Sequence, residues 1–428
     1  MGCLLSKEKD SDIGNRKRPG NVGEVAVFVP GLRVPKSVDL FQSLGDSLPR
    51  SLIERLSALR TRIVVMAAQE APTVAKPRRK TATQHGGSSL ADLRQALEDY
   101  LPVLLGLVKD GSQLVDSVHF VWTNQEDDAE EKKIANAWYE VLSILHLMAM
   151  LCFSEANSLL LPKTSSDTNL KISEESRRTA IDLFLKAAGY LDCAIQHVLP
   201  QLPPDLRMDL PVDLAEGVLH SLLMQALGQS VDIQLGMAMD SPKATLAVKR
   251  RLACEMLKCW HQAEDSITKY PLAEGWRGKH QLFIKWKYVE AKAAAYYYHG
   301  VILDEGNTEK SHRMAVAALQ TAEEFLKQSK KASDAFNAMP PTSRNPPSWG
   351  SMKYLYEKIP KDAANKVRIN QDLYSQDRSQ KMSIALILER APTLPDFAVA
   401  LKPDNYRLPE VDHAWNQESI NNLNKLAG

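Results

Sequence analysis

What this chain lacks narrows what it can do. Its 428 residues hold only five cysteines, Cys3, Cys152, Cys193, Cys254 and Cys259, with no CxxC pair and no His/Cys cluster at zinc-ligand spacing. That excludes a disulfide framework and a structural zinc site, and it suits a reducing compartment. Neither sign of charge dominates: 53 Lys and Arg against 52 Asp and Glu leave a net +1, so overall charge gives no support to a nucleic-acid role. There is no GxSxG elbow, P-loop, HExxH helix or paired glycine-rich phosphate loop. The ten histidines are scattered singly, and His146 and His299 sit in apolar helical patterns that suit satisfied core residues. No catalytic residue, metal ligand or cofactor is therefore expected, and no small-molecule substrate. The longest apolar run, Val141–Phe153, is too short to span a bilayer and contains His146, so a buried helix is expected there. The first residues have no apolar core of a secretory signal.

What is present is helix. Gln281–Phe336 reads as two long helices joined by a tight break at Asp304–Asn307. The first is apolar nearly all round, with Phe283, Trp286, Tyr297 and Val301, so it must be covered on several sides. Ala291, Ala293, Ala294, Ala295 and Gly300 lie between its large residues and let another backbone come close. The second is amphipathic, with Ala315, Ala318, Leu319, Ala322, Leu326 and Phe336 at helical spacing. A small-residue helical hairpin is the building unit of an α-solenoid, so an all-α fold is expected.

Around it the chain divides by composition. Met1-Gly2-Cys3-Leu4-Leu5-Ser6 fits the acceptor pattern for myristoylation of Gly2, and Cys3 beside it is a natural palmitoylation site. Lys7, Lys9, Arg16, Lys17 and Arg18 supply basic charge for anionic headgroups. Residues 1–23 are thus expected to be a lipidated, basic leader and linker. Val25, Val27 and Val29 alternate like a short strand, stopped by Pro30 and Gly31. Glu70–Ser89 is a break whose Lys76, Arg78, Arg79 and Lys80 suit a solvated loop. Helices are expected over Leu48–Gln69, Leu90–Leu107 with a bend at Pro102, and Ala129–Leu160, where Asp127, Asp128, Glu130 and Glu131 would face the N-terminal dipole. Ser173 should cap the next, which runs to about Leu199; Pro200–Pro211 reads as extended, and Leu214–Met239 as helix. Ser241 as N-cap with Pro242 at the first helical position should start a helix to about Tyr270. Trp349–Arg378 reads as helix with a kink at Pro360, and the proline-bearing last fifty residues as an extended segment running back along the helices.

Several stretches occur in the order of a known family. Phe28-Val29-Pro30-Gly31-Leu32-Arg33-Val34-Pro35-Lys36 precedes Val38-Asp39-Leu40; Phe120-x-Trp122 precedes an acidic stretch; Trp138–Asn157 is a central apolar helix. Gln225-Ala226-x-Gly228-Gln229, then Ala293-Ala294-Ala295-Tyr296-Tyr297-Tyr298-His299-Gly300, and finally Ala391-Pro392-Thr393-Leu394-Pro395 with Asn405-Tyr406 complete the series. On these residues the chain resembles the Bro1-domain family, in particular its single-domain, Brox-like members, from about residue 24 to 415, with 416–428 as a tail. Departures lie at Ser311–Leu319 and Asn370–Tyr374, where only spacing and apolarity match. The resemblance implies a curved, banana-shaped α-solenoid with TPR-like helical hairpins, a small N-terminal β element and an extended C-terminal return segment. It also implies a partner: the C-terminal amphipathic helix of Snf7/CHMP4-type ESCRT-III subunits, bound helix-in-groove. The implied role is a scaffold in endosomal sorting or membrane remodelling, on the cytoplasmic face of endosomal or plasma membrane and partly cytosolic.

The resemblance places the groove on the helices flanking Asp240. On the helix after it, Leu246, Ala253, Met256, Trp260, Ala263 and Ile267 form the core stripe; at about 100° per residue Leu252 lies at its edge and Val248 outside it. With Lys249, Arg250 and Arg251 alongside, Val248 and Leu252 suit an exposed apolar strip with a basic rim, or a contact with a neighbouring helix. Leu235 and Met239 are the candidates on the preceding helix. The alternative function is a TPR-like adaptor that captures some other peptide or protein.

Overall fold

The computed structural model describes residues 25–70, 89–109, 112–125, 127–161, 172–269, 276–342, 345–346, 352–369 and 384–415. The elements run β1 (Arg33–Pro35), α1 (Leu40–Leu44), α2 (Arg50–Glu70), α3 (Ser89–Leu104), β2 (His119–Asn124) and β3 (Asp127–Ala135). They continue α4 (Ala137–Leu160), α5 (Glu174–Cys193), α6 (Pro204–Met208), α7 (Glu216–Asp240), α8 (Leu246–Ile267), α9 (Trp276–Asp304), α10 (Glu309–Ala338), α11 (Met352–Ile369) and α12 (Ile384–Glu389). Each long helix packs on its neighbours along the chain: α2 on α3, then α4, α5, α7, α8, α9, α10 and α11 in turn. That succession is what makes a curved helical solenoid.

The α9–α10 hairpin is its tightest joint. Ala291, Ala293, Ala294 and Ala295 are fully buried, and a Cβ on Gly300 would lie 3.0–3.2 Å from Leu319, Ala318 and the Ala315 carbonyl. The turn at Asp304–Asn307 is followed by a capping box in which Thr308 and Ser311 bond each other's backbone amides. Ser173 caps α5 by accepting from the Ser176 amide, as its position predicts. Helix α4 is long and apolar enough to cross a membrane, but 89% of its apolar window is buried inside the fold. It is a core helix, and longer than the apolar run alone suggests.

Several expectations are corrected. Ala129–Leu160 is not one helix. Residues 127–135 pair with β2, and α4 starts at Ala137, where Asn136 accepts from the Trp138 amide at 2.9 Å. Asp127, Asp128, Glu130 and Glu131 therefore belong to β3 and not to the first turn of a helix. The three strands form an antiparallel sheet in the order β1-β2-β3. Pro200–Pro211 is not extended: a π turn (Ala194–Val198), a 3-10 turn (Leu199–Gln201) and α6 carry the chain through it. Ser241 caps only a turn, through the Lys243 amide, and Thr245 is the N-cap of α8 through the Val248 amide.

The strand is also displaced. Val25, Ala26, Val27 and Phe28 are extended but all buried, so they do not alternate, and the first ladder starts later at Arg33. With no strand beside them, they take hydrogen bonds from α7. The Gln225 amide donates to the Phe28 carbonyl at 2.8 Å, and the Gln229 amide donates to the Ala26 carbonyl at 3.1 Å. Phe28 then stacks among Phe283, Phe336 and His280. Two buried cations bind the sheet to the helices. Arg33 grips both Asp213 oxygens at 2.7 and 2.8 Å and the Tyr139 hydroxyl at 2.8 Å. Arg60 donates to Glu140 at 2.9 Å, whose other oxygen accepts from the Trp122 indole at 2.6 Å.

Residues 391–412 return along the helices in extended form, as the prolines imply. The Ala400 amide donates to Glu255 of α8, the Asp404 amide to the Leu185 carbonyl of α5, and the Asp412 amide to the Pro102 carbonyl of α3. Trp415 ends the path. Its indole donates to the Val103 carbonyl at 2.9 Å, and its ring fills the space above Gly106.

Two predictions follow from this packing. A Cβ on Gly106 would fall 1.9–2.2 Å from the Trp415 ring. Gly106→Ala should therefore expel the indole, red-shift its fluorescence, expose residues 404–415 to protease and cost about 2 kcal/mol in lost burial and hydrogen bonding. The second concerns acid. Burial pushes His146 down to about 4 and His280 down to about 3. Unfolded, both would protonate near pH 6.5. The unfolded chain then binds more protons below that value, so stability is full above about pH 6.5 and is lost as pH falls toward 4. Each histidine should contribute about 2 kcal/mol of that loss by pH 5. Urea denaturation from pH 7.5 to 5 checks this, and His146→Leu should remove its share of the slope.

Candidate docking groove

Helix α7 packs on both α5 and α8. The polar anchors of the return segment fall on α8, α5 and α3, which are alternate members of the stack α3-α4-α5-α7-α8. Those three helices thus share one face of the solenoid, and α4 and α7 form the layer beneath. Helices α5 and α8 both pack on α7, so the gap between them is backed by α7.

Its α8 wall follows from helical geometry. The buried stripe Ala253, Met256, Cys259, Trp260, Ala263 and Ile267 faces α7 and α9. Lys258, which donates to Asp396 at 2.9 Å, and Arg250, whose guanidinium lies 6.0 Å from the Phe397 ring centre, mark the side under the return segment. At about 100° per residue, Val248 falls between those two sides, next to Glu255, while Leu252 lies on the edge of the buried stripe, between Cys259 and Ala263. Val248 is 46% exposed and Leu252 half-buried. Met239 is half-buried at the end of the α7 floor, and on α5 Leu185 is half-buried with Ile181 below it. Arg177 of α5 holds Asp240 at 3.0 Å and so fixes the end of α7 against the start of α5.

Of the four residues expected here, Val248 is exposed and Met239 and Leu252 are half-buried, near the end of α7 and the start of α8. Leu235 is fully buried. Helix α7 is apolar on every side and lies between α5 and α8, and one turn earlier Asp232 binds Lys287 of α9 inside the core at 2.8 Å. Leu235 packs the core and offers no docking surface. The lipidation candidates Gly2 and Cys3 and the basic residues Lys7, Lys9, Arg16, Lys17 and Arg18 lie outside the described residues.

The charge around the corner is uneven. From Asp240 to Lys258 there are five cations, Lys243, Lys249, Arg250, Arg251 and Lys258, and two anions, Asp240 and Glu255. Both anions are engaged: Asp240 by Arg177, and the buried Glu255 by Arg251 at 2.7 Å and the Ala400 amide at 2.8 Å. Periodicity did not reveal Glu255 as a groove residue. The available signal was a lone carboxylate in the otherwise apolar or basic stretch Arg250–Trp260.

Other chemistry finds little support in the geometry. Burial pushes Cys152, Cys193 and Cys254 up to about 11 and Cys259 up to about 12, so these thiols stay protonated. Among the described residues no group of three His, Cys, Asp or Glu side chains is placed to hold a metal ion. A cavity of about 470 Å³ opens between Asp192 and His197 on one side and Asp404–Leu408 on the other.

Comparison with known proteins places this architecture. No curated protein sequence matches the chain. Among solved structures it is similar to ALIX in complex with the SIVmac239 PYKEVTEDL late domain, with a TM-score of 0.61 and 16% identity over 91% of this chain. It spans half of that ALIX chain, 50%. It is also similar to the ALIX BRO1 CHMP4C complex, with a TM-score of 0.60 and 17% identity, covering 90% of this chain and 97% of that one. A third, a Bro1-domain structure concerned with endosomal targeting, gives a TM-score of 0.56 and 13% identity, with 94% and 97% covered. At these identities the structures speak for the fold alone. The sequence profile of the BRO1-like domain matches residues 61–392, most of the chain from α2 to the start of the return segment, and the chain belongs to the BRO1-like domain family.

Proposed function

We propose that this chain is a membrane-anchored, non-enzymatic scaffold that holds the C-terminal amphipathic helix of a CHMP4-type ESCRT-III subunit in the groove between α5 and α8. The observation that carries the reading is the α7–α8 corner: Val248 exposed, Leu252 half-buried, and cations around them in excess of anions. A fold shared with the ALIX BRO1 domain, one structure of which is a complex with CHMP4C, supports the choice of partner. An amphipathic helix would place apolar anchors on Val248, Leu252 and Met239 at i, i+3 or i+4 and i+7 spacing. Burying one leucine-sized anchor on each side gives about 1.5–3 kcal/mol, so a few anchors suffice for micromolar binding. The lipid signal at Gly2 and Cys3 would hold the scaffold on the cytoplasmic face of endosomal or plasma membrane.

Leu252→Asp should lower the affinity for a CHMP4C C-terminal helix peptide at least about 100-fold, as expected for a charge placed at a central apolar anchor. Because Leu252 is only half-buried, Tm should fall by less than about 5 °C. Leu235→Asp, which puts a charge into the core, should instead unfold the protein. Calorimetric titration and thermal melts check both, and unchanged affinity in a folded Leu252→Asp protein would sink the assignment.

The anchor is tested separately. Mass spectrometry of the native N-terminus should find a myristoyl group on Gly2, and Gly2→Ala should move the protein from the membrane to the soluble fraction. Cys3→Ser should leave only weak, reversible attachment, since one myristoyl chain binds marginally. If Gly2→Ala remains fully membrane-bound, the anchor model fails.

A further inference from the structure

Beside the groove, the return segment crosses α8 on residues that have no counterpart in a bare helical hairpin. Glu255 is 1% exposed, and it divides its two oxygens between Arg251 and the Ala400 amide. Lys258 holds the segment a turn further along, through Asp396 and the Phe397 carbonyl. Phe397, Val399 and Leu401 turn inward and are half-buried, while Ala398 and Ala400 are exposed on the outer side. The segment then reaches α5 at Leu185 and passes tightly over Gly189, where a Cβ would lie 2.5 Å from the Asp404 carbonyl. Between those two fixings it passes from Glu255 of α8 to Leu185 of α5.

We infer that residues 398–403 of the return segment form the end wall of the docking groove, and that the helix they receive is acidic. This inference rests on the helix-docking reading above. Small side chains at Ala398 and Ala400 let a partner backbone approach, as small residues do wherever helices pack closely. The charge balance selects the partner. Arg177 neutralises Asp240 and Arg251 neutralises Glu255, which leaves Lys243 and, beside Phe397 of the return segment, Arg250 as the positive charge near the groove, so a helix with carboxylates one turn from its apolar anchors is attracted and a basic one is repelled. Glu255 is a positioning residue: it touches no partner and acts by fixing Ala400.

Ala400→Pro in the full-length protein tests the wall. Proline removes the amide that Glu255 accepts from, and it suits an extended backbone. Affinity for a synthetic CHMP4C C-terminal helix peptide should fall about tenfold while helical content is unchanged and Tm falls by no more than about 5 °C, the loss expected for one buried hydrogen bond. Glu255→Gln, which keeps an acceptor for Ala400, should retain affinity within about threefold. Bound peptide should slow hydrogen exchange at residues 398–403, and raising salt from 50 to 500 mM should weaken binding severalfold. If Ala400→Pro binds as wild type and residues 398–403 show no protection, while Leu252→Asp still abolishes binding, the wall is wrong and the groove stands. If the wild-type protein does not bind the peptide, the docking reading falls and takes this inference with it. Binding that is insensitive to salt overturns the acidic partner.

Discussion

An extended backbone laid against helices has no ladder to join. Helices satisfy their own amides and carbonyls, so each buried polar group of the extended chain must find a side chain or a helix end, or cost about 1–3 kcal/mol. This protein meets that requirement twice. Residues 25–28 pass through the core with their carbonyls on Gln225 and Gln229. The return segment gives its amides to Glu255, to the Leu185 carbonyl and to Pro102, and its final indole to Val103. Pro102 and Val103 lie in the last turn of α3, where carbonyls lack an intrahelical partner and are free to accept. The stability of a repeat stack is close to a sum over neighbours. These contacts add couplings across 203 residues, from Ala26 to Gln229, and across 312 residues, from Val103 to Trp415. They turn a linear stack into one closed body.

The same economy governs charge. The strongest ion pairs lie inside: Arg33 with Asp213, Arg60 with Glu140, and Lys287 with Asp232. Buried pairs give little net stability, because desolvation offsets attraction, but losing one partner costs about 3–5 kcal/mol. Their effect is positional. Arg33 and Arg60 each bind a carboxylate and an aromatic hydroxyl or backbone carbonyl at once, which sets the sheet's place against α4 and the turn before α7. Beside α8, the carboxylates of Asp240 and the buried Glu255 are taken too, by Arg177 and Arg251. From Asp240 to Lys258 cations outnumber anions five to two although the whole chain is nearly neutral. Local pairing, and not net charge, determines what that surface attracts.

Which parts of this were legible depends on how local their causes are. The α9–α10 hairpin could be read because its alanines, its turn and its cap all lie within one continuous stretch. The Ser173 cap and the extended return segment could be read for the same reason. Strand β3 could not. Asp127–Ala135 reads DDAEEKKIA, residues that favour helix, and only pairing with β2 makes it a strand. The start of α8 was misplaced because Ser241-Pro242 carries a start signal that the chain spends on a turn, with Thr245 supplying the actual cap. Val248 is exposed because α8 is amphipathic, whereas α7 is buried on nearly every side and its periodicity names no outer face, which is why Leu235 lies in the core. Glu255 was missed because its meaning lies in a contact 145 residues away.

The two ends of the proposed function meet on one helix. The chain enters the described body at Val25, and its first firm hydrogen bond, from Gln229 to Ala26, lies on α7. The groove floor is the same helix: Met239 is ten residues further on, about 15 Å along the axis. If Gly2 carries a lipid, the tether is rooted beside the groove and not at a distant end of the solenoid. A partner helix lying on Val248 and Leu252 would then dock close to the point from which the chain runs to the bilayer. A rigid root matters here, because a docking site held near a surface meets surface-bound partners at higher effective concentration than one free in solution. Burial of Val25–Phe28, which looks like simple core filling, thereby fixes where the N-terminal part of the chain meets α7.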